Sequence, residues 1–113
     1  MIQKSERTLD RYMQAGAKMR LLKTLLSETI VETSALMYAK DTDKFIKIEQ
    51  FIQELSSKLE SQMYTDLNLQ GSEYTSVFYG ATTNKPNPSD VDAHMHKLIQ
   101  VVLNDITYDG NDT

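Results

Sequence analysis

Apolar side chains recur every three or four positions along three segments of this chain, and that periodicity predicts three helices. The most regular segment is 42–67. There Phe45, Ile48, Ile52, Leu55 and Leu59 follow a 3-4-3-4 spacing, and Phe51, Met63 and Leu67 widen the seam to the three-sevenths face of a helix packed in a bundle. Asp41 or Asp43 can accept from the free N–H groups of the first turn and complements the positive end of its dipole. Lys40-Asp41-Thr42-Asp43 then reads as a short link to an antiparallel neighbour.

That neighbour is predicted over 5–39, a stretch with no proline, one glycine (Gly16) and a predominance of good helix formers, with Ser5 as its N-cap. Its apolar stripe shifts along the way. Leu9, Tyr12, Met13 and Gly16 share one face, whereas from Leu22 onward the stripe turns by roughly 100° through Leu25, Leu26, Ile30, Leu36 and Met37. Either the helix breaks at Gly16, or it stays whole and its halves bury against different partners, one of them a second chain. Leu22–Met37 paired with Phe45–Leu59 gives a helical hairpin as the expected core, and Leu55→Asp is expected to unfold it.

Residues 68–88 interrupt the periodicity with Gly71, Gly80, Pro86 and Pro88. Between the glycines, Ser72 as N-cap and Gly80 just past the end would frame a short helix, although the β-branched and aromatic content also suits a strand. No second strand is evident to pair with it, which favours a short helix or ordered loop. The third long helix covers 89–108, with Ser89 as N-cap, Asp92 three residues on, and Val91, Met95, Leu98, Ile99, Val102 and Ile106 on one face. Asp109-Gly110 should end it, leaving a frayed tail at 109–113. The fold class is therefore all-α, a small antiparallel helical bundle in a single domain over 1–113, with a long first helix that a dimer could share.

Composition and charge narrow the function. The chain of 113 residues has no cysteine, which excludes disulfides, thiolate zinc sites and a cysteine nucleophile, and fits a cytoplasmic setting. No apolar run is long enough to span a membrane. The net charge of −4 is uneven: residues 1–26 hold six Lys/Arg against two acids, whereas the other 87 hold six against fourteen. Lys4, Arg7, Arg11 and Lys18 lie together on that basic arm and are the candidate nucleic-acid contacts.

Catalytic patterns are scarce. His94 and His96 point about 200° apart on a helix and cannot grip one metal. No Glu precedes a His by three, so a di-iron bundle site is not encoded. Ala93-His94-Met95-His96-Lys97 resembles the Ala-His-x-x-Lys segment of histidine-phosphotransfer domains, which are four-helix bundles. That resemblance implies His94 as phosphoryl acceptor and Lys97 as its neutralising charge. It spans five residues, with Leu98 where that family carries a small glycine. The alternative role for Asp90–His94 and Asp92–His96 is that of i, i+4 pairs on a solvated helix.

No cofactor and no catalytic or metal-binding residue is expected. The expected function is a non-enzymatic protein-binding adaptor, chaperone-like factor or inhibitory regulator, working with another protein and as a homodimer. Tyr74, Val77, Phe78 and Tyr79 carry too much apolar area to leave in water: either they cover the end of the bundle or, together with Tyr12, Met13 and Met19, they form the expected contact surface.

Overall fold

A computed structural model describes residues 4–80 and 90–111, with side chains described as far as Ile106. Three helices form: α1 (Leu9–Ser34), α2 (Ala39–Leu67) and α3 (Asp90–Asn111). A 3-10 turn at Lys4–Glu6 precedes α1, and a second at Glu73–Val77 lies between α2 and α3. No strand occurs among the described residues, so the fold is all-α.

Local chemistry moves several boundaries from their sequence-based positions. The N-cap of α1 is Thr8 rather than Ser5, its hydroxyl accepting from the Arg11 amide at 3.3 Å. At the other end, hydroxyls turn back on the helix carbonyls: Thr33 donates to Thr29 O at 2.7 Å and Ser34 to Val31 O at 2.9 Å. Such bonds compete with the helical ladder. The chain turns at 35–38, so α2 starts at Ala39 with Tyr38 as its cap, and Asp41 falls within its first turn. Asn68 closes α2 in the left-handed region at φ 49°. The expected Ser89 cap and the tail residues 112 and 113 lie outside the described residues. α3 runs on through Gly110 to Asn111, past the end read from Asp109-Gly110.

α1 is unbroken at Gly16, for a steric reason. A methyl group there would overlap the Val77 carbonyl oxygen, so the missing side chain is what lets the 73–77 turn rest on α1. Around this contact sits one core: Tyr12, Met13 and Ala17 of α1, Met63 of α2, Val77 and Phe78, and Val91, Met95 and Ile99 of α3. Tyr74 also meets Tyr64 of α2 edge-to-face, with ring centroids 6.3 Å apart.

The core is therefore not the hairpin the periodicity suggested. α1 packs on both α2 and α3, but α2 and α3 have little direct contact with each other. On the side of the hairpin away from the 73–77 turn, α1 and α2 can each cover only part of the other's apolar face, and α3 flanks α1 alone. Leu22, Leu25 and Val31 on α1, Leu36 in the turn, and Ile48, Phe51 and Leu55 on α2 stay exposed. With half its surface in water (49%), Leu55 is no core residue, and Leu55→Asp should leave the fold intact.

Gly16→Ala is the sharper test of the packing. In an open helix Ala would add ~0.8–1.0 kcal/mol. Against the Val77 carbonyl it should instead cost about 1–3 kcal/mol, the usual range for overpacking. A chemical-denaturation midpoint that falls supports this packing; one that rises shows that the turn does not rest on Gly16.

Candidate functional site

Two polar clusters fix the elements around the core, and they determine which surface is left free. The first centres on Arg20, 1% exposed on α1. Its Nη1 donates to Ser76 O at 2.7 Å and to Asp92 Oδ1 at 3.1 Å, and its Nε to Gly80 O at 3.3 Å. Gly80 has φ +140°, and a side chain there would run into the guanidinium. Burial lowers the Arg20 pKa, and the Asp92 charge opposes that shift. Asp92 also meets His96 Nε2 at 3.4 Å, the i, i+4 pair anticipated from the spacing, but in a buried setting rather than on a solvated helix face, because Asp92 turns in toward Arg20. The carboxylate thus ties α3 to α1, while the guanidinium holds down the chain on either side of Phe78.

The second cluster lines a cleft of about 380 Å³ beside Tyr79. Lys23 Nζ donates to Phe78 O and lies 4.0 Å from the Tyr79 ring centroid. Desolvation, helped by the nearby Arg20 charge, lowers the Lys23 pKa to about 8, with Glu60 pulling the other way. Burial raises the Glu60 pKa, and its Oε2 is buried without a hydrogen-bond partner among the described residues. Both clusters lie on the same side of the α1/α2 pair as the 73–77 turn.

The opposite side is open. At about 100° per residue, Leu22, Leu25 and Thr29 fall within roughly 60° on α1. Ile48, Phe51 and Leu55 do the same on α2, roughly 140–180° around that helix from Tyr64 and Gln53, which face the turn. Across α1, Val102, Leu103 and Ile106 of α3 complete the opposite bank, enclosing with Leu21, Leu22 and Leu25 an apolar groove of about 450 Å³. The result is a trough floored by α1 and banked by α2 and α3. Phe51 (62%), Leu25 (63%) and Ile106 (61%) are its most exposed lining residues.

The residues singled out from sequence fall elsewhere. Tyr12, Met13, Val77 and Phe78 are buried, and Met19, Tyr74 and Tyr79 pack against them half-buried. The structure brings all seven together as the chain's own interior, because the 73–77 turn folds back on the first half of α1. A docked partner has no access to the buried four. Tyr12 donates to Asp66 and accepts from Gln62 at 2.9 Å, ties that belong to the fold.

The basic set is divided. Arg7 pairs with Asp66 at 3.2 Å, Arg11 and Lys18 are exposed along α1, and Lys4 opens the chain's first turn. His94 and Lys97 are exposed on α3. No group of three or more His, Cys, Asp or Glu converges as a metal site among the described residues, and no helix there is long and apolar enough to cross a membrane. Sequence reading missed Arg20, although it follows Gly16 by four and Met13 by seven, on the face that is buried.

Two outcomes test these clusters. Asp92→Asn leaves Arg20 buried without its counter-charge and should cost about 3–5 kcal/mol in the denaturation midpoint; a near-neutral effect would show that water reaches the guanidinium. For Lys23 the sign follows from its lowered pKa. Folded and unfolded chains are both protonated below pH 8, and between about 8 and the ordinary value of 10.5 the unfolded chain holds more protons. Stability from this group therefore rises with pH across that window. Wild type should gain on Lys23→Met in melting temperature from pH 8 to 10.5, and parallel profiles would refute the buried placement.

Comparison with known proteins returned no match, whether to a family model, to a curated protein or to a solved structure.

Proposed function

We propose that this chain is a non-enzymatic contact module, an adaptor or inhibitory regulator, whose working surface is the trough along α1. One observation carries the reading. Leu22 and Leu25, Ile48, Phe51 and Leu55, and Ile106 expose apolar surface on three helices that share one side of the molecule. Isolated exposed apolar residues are ordinary in soluble proteins, but a contiguous patch marks an interaction surface. The groove within the trough is lined mainly by Leu21, Leu22, Leu25, Val102, Leu103 and Ile106, with Lys18, Thr24 and Glu28 at its edge, a mostly apolar lining that suits recognition. Absence of cysteine fits a reducing compartment, and the proposal places the module in the cytoplasm.

Trough and opposite face differ in what they should touch in cells. A photo-crosslinking amino acid at Leu25 should give a covalent adduct with protein, and Phe51→Asp in the same chain should suppress it. The same probe at Ser57, exposed on the far side of α2, should give none. No adduct at Leu25, or equal adducts at both positions, refutes the contact reading.

A further inference from the structure

We infer that the occupant of the trough is a second copy of this chain, laid face to face so that each α1 covers the partner's α2. The inference rests on the contact-module reading and adds the partner's identity. Its first support is register. Ser27 Oγ donates to Glu49 Oε2 at 2.6 Å, which sets residue 27 level with 49 along the antiparallel pair. Leu25 is then level with Phe51, Glu28 with residue 48 and Glu32 with residue 44.

The second support is charge. Glu28 and Glu32, both exposed, border the trough on the α1 side, one step around the helix from Leu25. Lys44, which also pairs loosely with Asp41 at 3.6 Å, and Lys47, both exposed, border it on the α2 side next to Phe51. One edge is acidic and the other basic at the same height. A two-fold axis running along the hairpin exchanges the edges and preserves the heights. It therefore sets Glu28 against the partner's Lys47 and Glu32 against the partner's Lys44, and their mirror contacts repeat the match. A patch of one sign would repel its own copy; this one is complementary to itself.

Shape agrees with charge. The same operation carries the partner's Phe51 over Leu25, at the mouth of the groove closed by Leu22, Val102, Leu103 and Ile106. An exposed aromatic ring set over an apolar groove is the usual form of an interface anchor. The Phe51 ring and the groove lie on one chain but on different helices, so neither can satisfy the other without a second copy.

Sedimentation velocity on the purified chain, from about 1 to 100 µM at low salt, tests this. A reversible dimer is expected. Phe51→Asp should give monomer while keeping the helical circular-dichroism signal. Glu28→Lys alone and Lys47→Glu alone should each weaken the dimer about tenfold by setting like charges together, and the two changes in one chain should restore it. If Phe51→Asp fails to fold, the charge-reversal pair decides. Monomer throughout the range, a dimer indifferent to Phe51→Asp, or no rescue in the double variant overturns the inference. Monomer in solution with a Leu25 adduct to a different protein in cells overturns the second copy and leaves the contact module standing, whereas no adduct removes both.

Discussion

A guanidinium taken out of water needs every donor used, and Arg20 finds its acceptors on two segments at once: the carbonyls of Ser76 and Gly80 and the carboxylate of Asp92. This clamp decides where the third helix can lie. Arg20 is on the turn side of α1, so Asp92 draws the start of α3 toward that side. From there α3 passes along α1 until Ile106 stands beside Leu25, and it does not reach across to α2. The closed core at one end and the open trough at the other are consequences of one buried ion pair. Such a pair is weak as a source of net stability, since desolvation offsets most of its attraction. Its effect is on arrangement, because few other positions of α3 would leave the charge matched.

Gly16 contributes a second constraint of the same kind. By letting the Val77 carbonyl approach α1, it brings Val77 and Phe78 into the space that a fourth helix fills in a larger bundle. The 73–77 turn therefore plugs one side of α1 and has nothing to offer the other. With Lys23 on the Phe78 carbonyl and Arg20 on either side, the plug is held by three carbonyls of its own backbone. Of its aromatic residues, which from sequence could either cover the bundle or dock a partner, Phe78 is buried and Tyr74 and Tyr79 are half-buried in making it.

Periodicity revealed the helices because a three-to-four repeat is a property of one segment read alone. Phe45, Ile48, Ile52, Leu55 and Leu59 say that α2 has a face to cover; they do not say what covers it. A short helix was one reading that Ser72 and Gly80 allowed, but the 73–77 turn is 3-10, Ser72 makes no side-chain cap bond, and Phe78 rather than Gly80 closes it. Burial was not legible, since it depends on where α3 comes to rest. Leu55 and Phe51 looked like core and are exposed, whereas Val77 and Phe78, which the sequence allowed either as a cover for the bundle or as a docking surface, are the cover. Arg20 and Asp92 were hidden by the sound rule that charges face water, which fails when two of them meet on different helices. The shift of the apolar stripe after Leu22 was the one sequence signal that bore on the open side: it separates the half of α1 that serves the fold from the half that the fold leaves uncovered.

Magnitudes suggest why the edges of the trough matter more than its floor. Fully burying a Leu, Ile or Phe side chain is worth ~1.5–3 kcal/mol, so covering six half-exposed ones contributes about 1 kcal/mol each. A two-fold pairing counts each contact twice and brings the sum to the order of 10 kcal/mol. Association costs of ~4–15 kcal/mol lie in the same range. Apolar contact alone is then nearly balanced and favours no occupant over another of similar shape. What separates occupants is whether their charges meet Glu28 and Glu32 on one border and Lys44 and Lys47 on the other. In the proposed dimer a second copy meets both borders by symmetry, and salt, which screens exposed charges over a Debye length of about 10 Å at 0.1 M, would then set how much of the chain is paired.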